Sequence, residues 1–536
     1  MRILEREPAG QTARGGFWSV PSVPLMVALL FFLVVVSRTA WVCDDAYITF
    51  RTARNFIAGN GMRWNHFERV QSFTHPLWFL LMSALTLVVR DFYASALLAS
   101  VLLSMATVTF LVLRASEPKT LGLLGLALLV SSKSFVDFST GGLENALSHF
   151  LFVLFLLELV GRWPLQRWTR PDTTSPNAFR LAFLAGLMTL NRPDTLLLTL
   201  PALAMVLRPG WRSRRTWWWL AKAFAPLMLW ELVALAYFGF PFPNTAYAKL
   251  GMGIPALSMM RQGLAYFANE LVFDPLALVI LTLATVAPFV VRERRLQPVS
   301  VGFLLYALYV VRIGGDFMAG RFFSLLVVGG VFVLLRCAPA LLRRREWLCA
   351  LTAVAVVGLG VLITPRPVLT MELISDGKAE RNFYAHGIVD ERLWYLKESS
   401  LFWRDRDSVM GGWFTDQGRA LPPGKASVHM TLGFFGFAAP TDAIIVDLWG
   451  LTDPLLARLP AENPNDWRIG HVARVVPKGY LETLETGKSQ FQDKRLGEFY
   501  DHLSVITRGP LFSWQRLKTI WRFNLGSYDH LLKPAT

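Results

Sequence analysis

Two adjacent aspartates, Asp44 and Asp45, directly follow the first apolar run of the chain. Carboxylates at the end of a membrane helix are costly near lipid, so they are more often functional there than in soluble proteins. One aspartate of the pair could act as a general base that takes a proton from a hydroxyl group. The pair could also share a divalent cation such as Mg²⁺, Mn²⁺ or Ca²⁺ through its oxygens, although no ligand set requires one. The alternative is a solvated helix end that pairs with Arg51 or Arg54.

Several short segments between apolar runs carry further polar residues, and most of these segments contain glycine or proline. They supply the other candidate substrate-binding residues: Arg51, His75, Glu144, Arg192, Asp194, Asn244, Lys249, Asp316 and Arg321. Glycines let backbone amides approach a ligand closely, and arginine or lysine can hold a phosphate or carboxylate. If these residues converge on one face, cations would hold a phosphate, and acidic and amide groups would hold a polyol.

Structural roles stay open for the acidic residues among them. Glu144 and Asp194 each precede an apolar segment, so each could be a helix-capping carboxylate. Arg192 lies in a very short turn, where it is costly unless it pairs with Asp194 or with an anion. Asp316 and Arg321 could likewise form an internal ion pair.

The histidines and cysteines give no metal-binding pattern. His75 stands alone, as structural histidines usually do, and His429 and His471 lack ligand spacing to a second histidine or cysteine. The chain has three cysteines, Cys43, Cys337 and Cys349, and no CxxC, so neither a paired disulfide framework nor a thiolate metal site is expected.

The composition is that of a polytopic membrane protein. Of the 536 residues, 53% are hydrophobic, the mean hydropathy is +0.40, and long uncharged runs recur from Pro24 to Thr364. The apolar segments are 24–41, 76–90, 94–113, 120–136, 145–161, 179–191, 194–207, 217–238, 271–291, 298–313, 321–342 and 346–364. We predict about eleven transmembrane helices, with 76–90 dipping in without crossing and 179–207 forming a hairpin.

The charge distribution orients these helices. The net charge is +16, and the basic residues lie in short loops, which favours a topology signal over nucleic-acid binding. With residues 1–23 in the cytoplasm, every strongly basic loop falls inside and the polar candidate segments fall outside. The transmembrane domain would span 24–364, with an outer loop at 43–75. Within that loop, residues 46–58 are amphipathic and suit a helix on the membrane surface, ended by the "GNG" at 59–61.

The composition changes after residue 364. Charged residues become frequent, and "DAIIVDLWGLTDPLLARLP" (442–460) is typical of a buried strand, a turn and a short helix. We therefore predict a C-terminal α/β soluble domain, residues 365–536, on the outer face.

A family resemblance accompanies these features. The segment "DDAYITFRTARNFIAGNGMRWNHFERVQSFTHPLW" resembles the first outer loop of the terminal arabinofuranosyltransferases, which are GT-C membrane glycosyltransferases. Similar segments recur in the same order in relatives: "GGLENALSHFLF", "LMTLNRPDTLLLTLPAL", "FPNTAYAKLG", "RIGGDFMAGRFF" and "DLWGLTDPLLARLP…RIGHVARVVPKGYLE". The resemblance covers the chain from Asp44 to about Glu485.

The resemblance implies an enzyme of the bacterial plasma (inner) membrane that faces the periplasm. It would move arabinofuranose from a polyprenyl-phosphate donor to a hydroxyl of a glycan or of a surface protein such as pilin. Asp44 is the expected catalytic carboxylate, with Asp45 close behind. Because the chain is compact, has a modest outer domain and departs from the arabinan enzymes after the acidic pair, the acceptor stays open. Whether the linkage inverts or retains the donor configuration is open as well.

Two other functions compete with this one. A transporter or flippase of a lipid-linked sugar would bury ionisable residues near the midplane, often with repeat symmetry. Most carboxylates here lie at outer helix ends and no repeat is visible, and only the short 179–207 hairpin favours transport. A membrane scaffold that acts through its outer domain ranks third.

Overall fold

The computed structural model describes residues 23–115, 120–161, 177–341, 385–404 and 410–532, together with positions 351, 356 and 358. Over these ranges the chain is mostly helical. The helices of the first part are α1 (Val23–Arg38), α2 (Asp44–Ile57), α3 (Pro76–Val89), α4 (Phe92–Phe110), α5 (Thr120–Ser131), α6 (Lys133–Asp137), α7 (Asn145–Leu159), α8 (Ala178–Asn191), α9 (Leu196–Leu207), α10 (Arg214–Ala223), α11 (Ala225–Tyr237), α12 (Asn244–Leu250), α13 (Ala256–Phe273), α14 (Pro275–Val290), α15 (Gln297–Ile313) and α16 (Arg321–Leu341).

The C-terminal part combines short helices with two strands. They are α17 (Glu391–Trp394), α18 (Leu396–Ser399), α19 (Gly412–Arg419), β1 (Ala426–His429), α20 (Phe434–Ala438), β2 (Ile444–Asp447), α21 (Tyr480–Thr486), α22 (Lys494–Arg508) and α23 (Trp514–Asn524). The strands pair in parallel, from Ala426 opposite Ile444 to His429 opposite Asp447. The predicted strand, turn and short helix of 442–460 are confirmed, because buried β2 leads through a turn to a 3-10 helix at Leu456–Arg458.

In the described ranges, two helices are long and apolar enough to cross a membrane alone: Phe92–Ala115, which is α4 with its π-helical extension, and α16. Two helix pairs would add two spans if each counts as one, but α10 and α11 bend by 63°, and α13 and α14 by 111°. The helix expected over 217–238 is therefore divided at Phe224, since Pro226 starts a new helix. Two to four spans are clear by length and composition, and the total of eleven stays a prediction.

Shorter apolar helices occupy most of the other predicted segments. The hairpin expected over 179–207 is present, because α8 and α9 pack together across a 3-10 turn at Pro193–Thr195. Helix α3 begins beside Thr49 of α2, which contacts His75. It ends next to Asp91, which lines a cavity with Tyr47 of α2. The expectation that 76–90 dips in without crossing the membrane stays a prediction. The segment 346–364 lies outside the described ranges.

Helix α2 is buried on most of its surface. It ends before Gly59 and Gly61, which both have positive φ, as the predicted stop requires. Its neighbours are α3 and α20. Helix α2 is therefore packed between the first part of the chain and the C-terminal part, and its place at the membrane surface stays a prediction.

Arg51 fastens α2 to the C-terminal part. Its guanidinium donates to the carbonyls of Trp64, Gly436, Ala439 and Pro440, and the side chain is fully buried. The C-terminal aromatic core also takes in Phe240 and Tyr247 from the first part. A separate soluble domain is therefore not confirmed, and its predicted boundary at 365 lies outside the described ranges.

Replacing Arg51 by methionine should destabilise the protein. The change leaves several buried carbonyls without donors, which should lower the free energy of unfolding by about 3 kcal/mol. Thermal unfolding in detergent would measure the loss, with exposed Arg522→Met as the matched control. Equal stability of both variants would contradict a structural role for Arg51.

Candidate active site

The two aspartates of α2 point in different directions, because consecutive residues of an α-helix lie about 100° apart around its axis. The Asp44 carboxylate accepts backbone hydrogen bonds from Gly433 (3.0 Å) and Phe434 (2.7 Å). A Cβ at position 433 would collide with the Asp44 backbone, so this contact requires glycine. Within the described ranges, no residue hydrogen-bonds to the carboxylate of Asp45. Asp44 thus ties α2 to the C-terminal part, and Asp45 is left free.

The "GGLEN" turn lies directly against the start of α2. The backbone N–H of Cys43 donates to the Gly141 carbonyl at 3.1 Å. Gly142 has φ +76°, and a Cβ there would collide with Val42. These contacts bring the residue that follows the turn, Glu144, close to the two aspartates.

Glu144 is the centre of an ionic cluster that consists of His75, Glu144, Arg192, Asp194, Asp316 and Arg321. Its carboxylate lies 3.0 Å from Arg321 Nη2, 3.3 Å from Arg192 Nη1 and 3.2 Å from His75 Nδ1. Glu144 makes no side-chain capping hydrogen bond to α7. Glu144 thus stands at the N-cap position of α7 without a side-chain capping bond, and its carboxylate joins residues from three separate segments.

The outer members of the ionic cluster complete the pairing. Arg192 Nε lies 2.9 Å from Asp194 Oδ1, and Tyr306 donates to Asp194 at 3.1 Å. Arg321 Nη1 lies 3.3 Å from Asp316 Oδ2. Both ion pairs that the sequence suggested as alternatives are thus present, and Glu144 links them to each other.

Burial and charge set the protonation states at this site. Burial alone would raise the pKa of Glu144, but Arg321, His75 and Arg192 lower it to about 2. Burial lowers the pKa of His75 to about 4, although Glu144 acts in the opposite direction. A neutral His75 that donates from Nδ1 to Glu144 leaves Nε2 to accept from Thr49 at 2.9 Å.

Asp45 has a pKa suited to proton transfer at neutral pH. Burial and the nearby charge of Asp44 raise it to about 7, while Arg321 and Lys249 oppose the rise. Burial raises the pKa of Asp44 to about 6, against the two backbone hydrogen bonds. Asp45 and Thr49, four residues apart, share one face of α2, and Thr49 contacts His75. The free carboxylate therefore faces the ionic cluster.

Glu391, which was not among the predicted site residues, lies close to Asp45, and Arg468 and His471 lie near other charged residues of the site. Burial and the charges of Asp45 and Asp44 raise the pKa of Glu391, and Arg468 acts against them. His471, stacked edge-on with Phe317, has its pKa lowered to about 4 by burial and by Arg468. Glu391 lies in no quoted segment, whereas Arg468 and His471 belong to the recurring "RIGHVARVVPKGYLE", which could have indicated them.

A network of buried ion pairs on neighbouring residues holds Glu391 in place. Lys133 Nζ lies 2.5 Å from Asp137 and 3.2 Å from Asp390, and Arg392 lies 2.6 Å from Asp137. All four side chains are at most 2% exposed. The network fixes α17, and with it Glu391, against α6.

Two of the predicted binding residues, Arg51 and Asn244, lie outside the ionic cluster, and a third, Lys249, takes no part in its ion pairs. Arg51 is occupied by backbone carbonyls, and Asn244 donates to the carbonyls of Gly450, Leu451 and Asp453. Both side chains therefore hold the fold together and are not brought into the ionic cluster. Lys249 is exposed and has no ion-pair partner in the described ranges, yet its charge lowers the pKa of Asp45.

A divalent cation finds no ready site here. Both oxygens of Asp44 are taken by backbone N–H groups. Among the described residues, no group of three or more histidine, cysteine or acidic side chains is placed to hold a metal. The geometry therefore does not favour the shared cation that the acidic pair suggested.

The helices and the ionic cluster define a mostly helical protein with apolar spans and a charged site at helix ends. Two relatives narrow this class, both named terminal beta-(1->2)-arabinofuranosyltransferase. The one from Mycobacterium tuberculosis is 31% identical over 408 residues, 67% of this chain and 62% of that protein. The one from Corynebacterium glutamicum is 26% identical over 530 residues, 80% of this chain and 72% of that protein. The resemblance predicted from the sequence is confirmed: the chain is a homologue of arabinofuranosyltransferases, although it spans only 62% of the mycobacterial relative's length.

Two other comparisons give no further information about the family. No protein-family model matches the chain. Among solved structures, ArnT from Cupriavidus metallidurans bound to undecaprenyl phosphate aligns with a TM-score of 0.45 and 13% identity, over 80% of this chain and 86% of that one. A likeness this loose supports no argument about fold or chemistry.

The two aspartates should respond differently to replacement by asparagine. The pKa of Asp45 lies above its unfolded value, so wild type loses stability as the pH rises from about 4 through 7. Asp45→Asn removes this cost and should raise the free energy of unfolding at pH 8 by about 1–2 kcal/mol, and not at all below about pH 4. Asp44→Asn removes one backbone acceptor and should cost about 1–3 kcal/mol at pH 4. At pH 8 the loss should be smaller, because burial also raises the pKa of Asp44, to about 6, and asparagine removes the cost of that buried charge.

Thermal unfolding at pH 4 and pH 8 would measure both effects on stability. A loss of stability in Asp45→Asn at pH 8 would show that this carboxylate is structural. Unchanged stability in Asp44→Asn at pH 4 would show that its backbone contacts matter little.

Proposed function

We propose that this chain is a GT-C membrane glycosyltransferase that moves arabinofuranose from a polyprenyl-phosphate donor to an acceptor hydroxyl. The observation that carries the proposal is the free carboxylate of Asp45 beside the ionic cluster, in a homologue of arabinofuranosyltransferases. A membrane-embedded site fits a lipid-linked donor, because its head group reaches the enzyme from the bilayer.

Asp45 takes the role of general base. It accepts the proton of the acceptor hydroxyl as that oxygen bonds to the anomeric carbon, and the bond from this carbon to the phosphate breaks, releasing polyprenyl phosphate. A base works best when its pKa lies near the operating pH, and that of Asp45 is about 7. Asp44 positions α2 through its two backbone contacts and touches neither substrate. This single displacement inverts the anomeric configuration, and retention would need a second nucleophile.

The ionic cluster positions the sugar, and Lys249 takes the phosphate. Arg192 and Arg321 already face the carboxylates of Glu144, Asp194 and Asp316, so they carry no excess positive charge. Hydroxyl groups can still bind to such a mixed set. Lys249 is the exposed cation whose charge reaches Asp45, which makes it the partner for the donor phosphate.

The acceptor is a glycan or a surface protein such as pilin, and the site faces the periplasm of a bacterial plasma membrane. The basic loops assigned to the cytoplasm support this orientation, since positive residues favour the inner side. Residues 1–23 then lie inside, 24–364 form the catalytic membrane part, and 365–536 lie outside and complete the site through Glu391 and His471.

Replacing Asp45 should slow transfer by much more than any loss of folded protein can explain. In nanodiscs with radiolabelled polyprenyl-phosphoryl arabinofuranose and a cell-envelope acceptor extract, we expect Asp45→Asn to lose about 10²- to 10⁴-fold in rate. Asp44→Asn, corrected for the folded fraction, should keep much more activity. Equal transfer by wild type and a folded Asp45→Asn would refute the assignment of the base.

The pH profile gives a second check on the same residue. Because a base must be ionised to act, kcat/KM should rise as the pH increases through about 7, the pKa of Asp45. A profile that is flat between pH 5 and pH 8, or that rises only near pH 4, would exclude Asp45 from proton transfer.

Lys249→Gln should weaken the donor's binding more than it affects chemistry. We expect KM for the donor to rise about tenfold, which corresponds to the loss of one charge-assisted contact. Exposed Arg214→Gln on α10 is the matched control. If KM stays unchanged in Lys249→Gln, the phosphate is bound elsewhere.

A transporter of a lipid-linked sugar is the second candidate. The 111° bend between α13 and α14 favours it, since broken helices are frequent in transporters. Movement of labelled lipid-linked sugar across vesicles without formation of a glycosidic bond would establish transport in place of transfer.

A further inference from the structure

A cavity of about 500 Å³ lies beside α2, and its lining includes residues of α2, α4, α19 and α20. It lies away from the ionic cluster. Tyr47 and Arg54, seven residues apart, share the face of α2 that lines the cavity, whereas Asp45 and Thr49 share the face toward the ionic cluster. The cavity is therefore a second site, distinct from the one proposed for catalysis.

Aromatic rings form much of its wall. Tyr47 lies 4.5 Å from Phe434 and 5.2 Å from Phe437 between ring centroids, and Phe92 lies 5.8 Å from Phe437. Tyr47 is only 4% exposed, and among the described residues none hydrogen-bonds with its hydroxyl. Aromatic faces with a polar tip suit a ligand that is partly apolar and partly polar, such as a sugar or polyol.

Guanidinium groups give the cavity its charge. Arg54, Arg404 and Arg419 line it, and Asp91 is the single lining carboxylate among the described residues. Arg419 also pairs with exposed Asp416 at 3.8 Å. The Asp91 side chain is engaged in capping α4, where it accepts from the Ala94 N–H at 2.6 Å. Arg54 donates one N–H to the Phe437 carbonyl at 2.7 Å. The paired N–H groups of an arginine guanidinium match the geometry of phosphate oxygens well.

We propose that this cavity binds a phosphorylated saccharide or polyol, with Arg404 and Arg54 on the phosphate and Tyr47 on a hydroxyl group. The ligand is either the head group of an anionic lipid or a soluble sugar phosphate, because Asp91 and Phe92 lie at the end of the membrane-span candidate α4. This site does not depend on the transferase assignment, since it uses none of the residues proposed for catalysis.

Binding to the full chain in phosphatidylcholine nanodiscs tests the proposal. Glucose 6-phosphate and glucose would be titrated by calorimetry, and retention of phosphatidylinositol would be followed by native mass spectrometry. We expect at least one phosphorylated probe to bind, and glucose to bind at least about tenfold more weakly than its phosphate if the soluble source is correct. Retention of phosphatidylinositol alone would identify the lipid head group as the source.

Substitutions in the cavity lining test whether the probe binds there. Arg404→Gln should weaken the bound probe about tenfold, as expected for one lost charge-assisted contact. Exposed Arg522→Gln should have no effect. Tyr47→Phe, which removes only a hydroxyl, should weaken binding a few-fold and serves as the test if Arg404→Gln fails to fold.

Three results would overturn the proposal. The first is failure of both phosphorylated probes to bind wild type. The second is equal binding by wild type and a folded Arg404→Gln or, if that variant does not fold, Tyr47→Phe. The third is equal affinity for glucose and glucose 6-phosphate without retention of phosphatidylinositol. Activity plays no part in these readouts, so failure here leaves the proposed transfer reaction untouched.

Discussion

The carboxylate of Glu144 is the contact on which the site depends. It is 1% exposed and faces Arg192, Arg321 and His75, which come from three distant segments. Burying two guanidinium groups without an anion would be prohibitive, whereas a shared carboxylate with hydrogen bonds makes the burial tolerable. Because Glu144 follows the turn that contacts Cys43, the same carboxylate also sets the distance between the ionic cluster and Asp45.

The two aspartates make different contacts because of helix geometry. Asp44 faces the C-terminal part and uses both oxygens on backbone N–H groups, as a residue that joins two regions does. Asp45, one position later, faces the ionic cluster with its carboxylate free. Burial holds its pKa near neutrality, which is unfavourable for stability but useful for a base.

Much of this arrangement could be predicted from the sequence. The polar segments between apolar runs do meet, and the Asp316–Arg321 and Arg192–Asp194 pairs, the α8–α9 hairpin and the strand at 444–447 are present. Which aspartate is held by backbone N–H groups could not be predicted, because it depends on the rotational phase of α2 and on a glycine almost 400 residues away. The partners of Arg51 and Asn244 could not be predicted either, because they are distant carbonyls, which leave no pattern in the side chains. Glu391 was missed because only the fold brings it to Asp45.

The most direct test of the account is a cryo-EM structure of the full chain in nanodiscs with a non-transferable phosphonate analogue of polyprenyl-phosphoryl arabinofuranose. The anomeric carbon is expected to face Asp45, with the phosphonate in contact with Lys249 and the sugar hydroxyls on the ionic cluster. An empty site at Asp45, with the analogue bound only in the cavity on the opposite side of α2, would contradict the proposed mechanism.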